Sequence, residues 1–281
     1  CSSDLGHEQC QRVMSGAAAA SPSRQNIQNT INQKFTLYRN GEHHKLRNKK
    51  FAVKHNEAVT YCFAKDQVSS DALRERPDLP AQKLSWLQRH DRESGDLYGI
   101  VTLIKGMPVA LTDHIDRSPD KQLLRGRVGT IHSWVLGDKE DSVFENGVRR
   151  LRKLPKIVFV KFTNSKGEEL DWCLPGLTEK GLYPIVSKSA SWFLDKGRAF
   201  PMLKIKRTQL PIAPAFAMTS HAAQGQTCRK GCIVDLCIGK GTNPLGSYVG
   251  LTRVENRKQL LILYFLSLEV SKLVVGMLVM I

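Results

Sequence analysis

The chain has 281 residues, with 42 Lys or Arg against 26 Asp or Glu and a formal net charge of +16. That length accommodates one large domain or a domain carrying an insertion, and 41% hydrophobic with 24% charged residues excludes a wholly disordered chain. The positive surplus points to a polyanionic partner, nucleic acid before anionic membrane, and carries no information about fold.

Residues 1–20 are polar, then alanine-rich, with no clear period and no leader-like segment; the first residue is Cys rather than Met, as expected of a fragment. Ser21 followed by Pro22 is a helix start. Ile27, Ile31, Phe35 and Tyr38 then recur at steps of four, four and three, predicting one apolar helical face that ends before Gly41. A basic loop over 43–50 leads into a short apolar strand, Phe51-Ala52-Val53. Asn56 is placed to cap a following helix with Val59, Cys62 and Phe63 inward. Residues 1–49 thus read as an N-terminal helical segment and 50–97 as the first part of an α/β domain.

The middle of the chain changes character. β-rich runs at 98–104, 108–112, 127–136, 156–162 and 183–186 are separated by turn-rich stretches, with no long helix between them. That pattern predicts a small antiparallel barrel or sandwich inserted over 98–206. The run Arg149-Arg150-Leu151-Arg152-Lys153 reads either as a solvated loop or as a phosphate contact.

Alternation returns afterwards: an apolar strand at 212–218, a helix from Thr219 or Ser220, a strand at 232–238, a helix at 245–254 and a strand at 260–265. Strands of this kind, spaced by helices, predict a mostly parallel sheet covered by helices. The fold class is α/β with a β insertion, the second sheet-bearing segment running over 207–265. In the apolar tail, 266–281, Glu269 and Lys272 interrupt the hydrophobic stretch, so a packed tail and no membrane partner is expected.

The seven cysteines are odd in number and scattered, which argues against a disulfide framework and for a reducing, intracellular compartment: nucleus, cytoplasm or an organelle. Cys228, Cys232 and Cys237 form no CxxC pair and have only His221 nearby, so buried thiols are expected and no metal ligands are assigned.

Thr219-Ser220-His221-Ala222-Ala223-Gln224-Gly225-Gln226-Thr227 follows a predicted buried strand, where α/β folds place ligands. A Gly beside polar side chains lets a backbone N–H approach a phosphate; Thr219, His221 and Thr227 supply donors for a nucleic-acid backbone. Taken alone, the segment could equally be a polar strand-to-helix turn. Tyr248-Val249-Gly250-Leu251-Thr252-Arg253 follows in the next predicted helix. Together the two segments resemble motifs V and VI of superfamily 1 helicases of the RecD/Pif branch, with Ala222 and Gly250 standing where that family usually has Lys and Ala. The flanks 207–217 and 233–236 resemble the neighbouring strands. Residues 105–112 and 125–131 resemble the Src-homology-3-like barrel that the branch inserts into its second RecA-like domain. Residues 53–59 resemble the motif IV region, with His55 before Asn56 where Thr is usual.

The resemblance implies a RecA-like fold and the C-terminal motor domain of an ATP-dependent, 5′-to-3′ DNA helicase serving genome maintenance or a mobile element. It implies Arg253 as the arginine finger, Gln224 and Gly225 beside the nucleotide, and Thr219, His221, Thr227 and Asn56 on single-stranded DNA. ATP and Mg²⁺ are the implied cofactors, shared with a P-loop-bearing first motor domain. No G-x-x-x-x-G-K-[ST] occurs in the chain; Gly239-Lys240-Gly241-Thr242 has the letters but puts Gly241 between Lys and Thr. Turnover by this chain alone is therefore not expected. The alternative is a catalytically inactive helicase domain kept as a nucleic-acid-binding module.

Overall fold

A computed structural model describes residues 35–37, 42–138, 141–145, 147–164, 167–218, 223–225, 227–228, 231–234 and 249–262. Two compact units divide the chain, one of residues 1–37 with 223–281 and one of residues 38–222.

In the first unit, β1 (Phe35–Leu37), β14 (Cys232–Val234) and β15 (Leu260–Ile262) form a parallel sheet in the order β1-β14-β15. The central strand is fully buried, as a parallel strand covered on both faces must be. Residues 249–251 are helical, with Leu251 and Val254 buried. The helical period through Phe35 is overturned: Phe35 pairs with Cys232 and Leu37 with Val234. A Phe-Thr-Leu segment suits a strand, and pairing with a distant strand outweighs a local apolar period. Tyr38, the rest of that predicted helix and the apolar tail lie outside the described residues.

The second unit opens with α1 (Glu42–His55) and β2 (Val59–Phe63), the reverse of the expected strand and helix. Ala52 is buried, Phe51 is half-buried and Val53 is 83% exposed, so the apolar triplet belongs to a helical stripe. Asn56 ends this helix instead of starting the next. It sits in the left-handed region at φ 52, with its N–H donated to the Val53 carbonyl (3.3 Å) and that of Glu57 to Ala52 (3.0 Å), a Schellman closure.

Then come β3 (Lys65–Val68), α2 (Ser70–Glu75), α3 (Lys83–Trp86), β4 (Ile100–Leu103), β5 (Pro108–Leu111), β6 (Val128–Val135), β7 (Ser142–Glu145), β8 (Val148–Leu151), β9 (Ile157–Phe162), β10 (Leu182–Ile185), β11 (Lys188–Phe193), β12 (Lys204–Gln209) and β13 (Ile212–Pro214). β10-β9-β6-β5-β13 is a five-stranded antiparallel sheet, β4-β2-β8-β7 a four-stranded sheet and β11-β12-β3 a three-stranded one. The four strands predicted across 98–162 and the one at 183–186 are present as β4, β5, β6, β9 and β10, with β-branched residues most frequent in β4, β6 and β9; the basic run 149–153 is not a loop but lies partly in β8. β13 also departs from expectation, pairing antiparallel with β5 (Ile212 with Leu111) instead of entering the parallel sheet. Pro214 has no N–H to donate, which fits an edge strand.

The main core joins Cys62, Leu103, Met107, Ile131, Val160, Phe162 and Ile212. Gly129 lets β6 and β9 close on each other: a Cβ there would lie 2.6 Å from Val160 Cγ1 and 2.8 Å from the Phe162 ring. A second core packs Ala72, Leu79, Trp86, Trp192, Leu203 and Ile205, with the Trp86 and Trp192 rings edge-on at 5.9 Å. Between these cores Arg207 is wholly buried. It donates from Nε and Nη2 to the two Asp66 oxygens at 2.8 Å each, from Nη2 to Trp86 O (2.8 Å) and from Nη1 to Leu97 O (3.3 Å). Gln209 next to it on the same strand donates to Cys62 O (3.1 Å).

Removing one member of a buried ion pair leaves an uncompensated charge, at a cost of about 3–5 kcal/mol. Asp66→Ala is expected to lower the unfolding free energy of the second unit, read from urea titration, by that amount, while Asp66→Leu with Arg207→Met recovers most of it. Equal losses in the single and double variants would show that the packing of Arg207, and not its charge, is what matters.

Candidate functional site

Of the residues assigned by sequence, Gln224, Gly225, Thr227 and Arg253 lie in the first unit, Asn56 lies in the second, and Thr219 and His221 lie outside the described residues. Residues 223–225 form a turn ahead of β14, with Ala223 buried and Gln224 and Gly225 exposed. Gly225 adopts φ +74, and nothing lies within 4 Å of where its Cβ would be. Backbone conformation, not crowding, therefore calls for glycine here. Thr227 is exposed immediately before the buried Cys228.

Arg253 follows the helical residues 249–251 and is half-buried. Its Nε donates to Val249 O (3.1 Å) and its Nη2 to Thr252 Oγ1 (2.9 Å), while Thr252 Oγ1 donates to Val249 O (3.2 Å). The guanidinium carries five N–H donors, and these bonds engage two of them. The backbone draws the two segments together: the Cys228 N–H donates to the Arg253 carbonyl at 2.6 Å. Cys232 Sγ, at the start of β14, points to Gly250 O (4.0 Å). The ends of the 219–227 and 248–253 segments are thus fastened to each other beside the central strand of the parallel sheet.

Sequence reasoning missed the part Cys228 plays here. A hydrogen bond from the Cys232 thiol brings the Cys228 thiol down from 9.0 to about 7; burial opposes this, and the Arg253 charge adds to it. Cys62, buried in the other unit with no cation beside it, is pushed up by burial to about 12. The visible signal was the placement of Cys228 and Cys232 between two segments read for other reasons. Among the described residues no group of three or more His, Cys, Asp and Glu is arranged to hold a metal ion, and no helix is long and apolar enough to cross a membrane. Asn56 is exposed at the end of α1.

The fold matches solved helicase structures. The Pif1 helicase from Candida albicans aligns with 87% of this chain and 49% of its own, at a TM-score of 0.50 and 18% identity. Bacteroides Pif1 bound to single-stranded DNA aligns with 84% of this chain and 42% of its own, at 0.48 and 14%. Bacteroides Pif1 in complex with ADP-AlF3 and single-stranded DNA aligns with 89% and 43%, at 0.44 and 13%. The chain spans about half the length of the first of these structures and less of the other two. No family model matches the chain, and no curated protein matches it by sequence. At 18% identity the likeness is one of fold: the chain is mixed α/β, rich in sheet, and shares its fold with part of the Candida albicans Pif1 structure.

The thiol shift is measurable. In the folded chain the rate of Cys228 alkylation by iodoacetamide, resolved by peptide mass spectrometry, is expected to rise with a midpoint near pH 7. Arg253→Met removes a cation that favours the thiolate and should move that midpoint upward. The folded-state value is depressed, so the contribution to stability is present above pH 9 and is lost as pH falls through 7. A midpoint near 9 in both proteins would remove Arg253 from the surroundings of this thiol.

Proposed function

We propose that this chain is the second motor domain of an ATP-dependent DNA helicase that moves 5′ to 3′ on single-stranded DNA. The observation supporting it most directly is the 2.6 Å hydrogen bond from Cys228 to the Arg253 carbonyl, within a helicase-like fold. It fastens a segment of motif V character to one of motif VI character. In this reading the parallel sheet belongs to the RecA-like part, and the five-stranded antiparallel sheet corresponds to the inserted Src-homology-3-like barrel.

Thr219, His221 and Thr227 hold the sugar-phosphate backbone, with Asn56 as a further contact. Gln224 and the exposed Gly225 turn face the nucleotide, where a positive-φ glycine leaves backbone amides open to phosphate oxygens. Arg253 presents its remaining guanidinium donors to the γ-phosphate and stabilises charge on it as it transfers; such arginines contribute on the order of 10³–10⁵ in rate. ATP with Mg²⁺, when bound, would supply a transferable phosphoryl group with its oxygens neutralised by the ion. The described residues fit one side of such a site: they offer a cation and a glycine turn, but no carboxylate cluster for the ion. The phosphate loop and the metal ligands then belong to a first motor domain, in the same chain or a separate one. In this reading closure of the nucleotide cleft is coupled to a step along the strand.

The two segments are expected to separate by role. Thr219→Ala with His221→Ala should weaken single-stranded DNA binding by about 1–3 kcal/mol, and Arg253→Ala should leave it nearly unchanged, as read by anisotropy titration at fixed salt. The chain by itself should not hydrolyse ATP. Joined to a P-loop-bearing first motor domain it should do so, and Arg253→Ala should then abolish hydrolysis while nucleotide still binds. Binding of DNA with no hydrolysis in the joined protein would instead establish a nucleic-acid-binding module without turnover.

A further inference from the structure

The sheet β11-β12-β3 has two chemically opposite faces. Ala190, Trp192, Ile205, Arg207, Asp66 and Val68 share the inner one, set by the pairs Ala190–Arg207, Arg207–Asp66, Trp192–Ile205 and Ile205–Val68. The alternate residues share the outer face, in cross-strand rows: Ser189, Thr208 and Lys65; then Ser191, Lys206 and Gln67; then Phe193 with Lys204. Lys65, Gln67, Ser189, Ser191, Lys204 and Lys206 are exposed, and Thr208 and Phe193 are half-buried.

No carboxylate stands on that outer face. The acids on neighbouring elements are already paired elsewhere: Asp66 with Arg207 on the inner face, Glu75 and Asp195 with Arg198, and Asp113 with Lys188. Among the described residues no ion pair involves Lys65, Lys204 or Lys206. A strand rises about 3.3 Å per residue, which sets Lys204 and Lys206 about 7 Å apart along one line, with Lys65 on the adjacent strand opposite Thr208. Between the lysines the face offers only neutral donors and acceptors: the Ser189–Thr208 hydroxyl pair (2.7 Å), Ser191 and Gln67. At its end Phe193 presents part of an aromatic ring, and the loop that follows carries Phe200, 83% exposed. That loop is braced, since the Asp195 carboxylate accepts the N–H groups of Met202 (3.0 Å) and Leu203 (3.1 Å).

From this arrangement we infer that the outer face of β11-β12-β3 is a second binding surface for single-stranded nucleic acid, separate from the 219–227 segment. Its partner is a phosphodiester chain, with Lys65, Lys204 and Lys206 neutralising phosphates and Phe193 and Phe200 stacking on unpaired bases. A flat sheet with cations and rings on one side suits a strand whose bases are splayed out, because a duplex hides the faces that stacking needs. A lipid surface would want a broader apolar rim than the outer face supplies. The inference adds a contact to the helicase reading and does not rest on it.

The test uses the whole chain and a fluorescein-labelled 20-nucleotide oligo-dT. Lys65→Gln, Lys204→Gln and Lys206→Gln are made together, and a control triple removes the same charge elsewhere on the same unit, at the exposed Lys49, Lys105 and Lys156. The face triple should lose about tenfold in affinity, and the log–log salt slope should fall by about 2, from roughly 0.7 per phosphate contact. The control triple should stay within about threefold of the parent. A Lys→Arg triple at the face should retain binding. Equal losses in the two Gln triples would overturn the proposal in favour of diffuse charge, and so would no loss in the face triple. Loss of binding to vesicles of phosphatidylserine and phosphatidylcholine, with oligo-dT binding intact, would overturn it in favour of a membrane surface. Failure here leaves the double variant Thr219→Ala with His221→Ala still able to weaken DNA binding, so the two readings fail separately.

Discussion

The second unit is organised around one buried charge. Arg207 is inaccessible to water, and its bonds fix three pieces of chain: β3 through Asp66, the end of α3 through the Trp86 carbonyl, and the approach to β4 through the Leu97 carbonyl. A guanidinium stripped of water is stable only if its donors find acceptors, so these segments are held at hydrogen-bond distance or the pair is not made. Trp192 lies under the same group with its ring centre 5.7 Å away. Gln209, one alternation further along β12, extends the polar seam to Cys62 in β2. The main core and the Trp86–Trp192 core thus meet along β12.

The alternation of β12 also accounts for its outer face. A strand that turns Ile205 and Arg207 inward must turn Lys204 and Lys206 outward, because neighbouring side chains point to opposite sides. The inward charge is neutralised by Asp66 and the outward charges are not. One strand therefore has a structural cation and two cations directed at solvent, and the same pleat decides both.

In the first unit the central strand plays the corresponding part. β14 is buried throughout, and its neighbours come from opposite ends of the chain: β1 from residues 35–37 and β15 from 260–262. The turn at Gly225 precedes it in the chain, and the helical residues 249–251 lead into Arg253. Their link is a backbone bond from Cys228 to Arg253, which does not depend on either side chain. Substituting Arg253 can then change the charge of the site without releasing the segment that carries it. The Cys228 thiol records that neighbourhood in its lowered pKa.

The sequence by itself determined the excess of positive charge, the β-rich middle, and the two short segments whose likeness to helicase motifs pointed to a fold that the Candida albicans Pif1 structure shares. Those features are local: strand propensity sits in β-branched runs, and motif residues stand close together in the chain. Local pattern misread residues 51–63, where three apolar residues suit a short strand or a helical stripe equally and only the packing of Ala52 against the core selects the helix. It misread Asn56 for a related reason, since asparagine caps either end of a helix and the left-handed φ that settles the matter is not written in residue type. It misread Phe35 and Ile212 because the partners that make them strands, Cys232 and Leu111, lie far away in sequence. The burial of Arg207 was decided only by tertiary structure: nothing local marks it as facing inward, and the Asp66 that neutralises it stands 141 positions away.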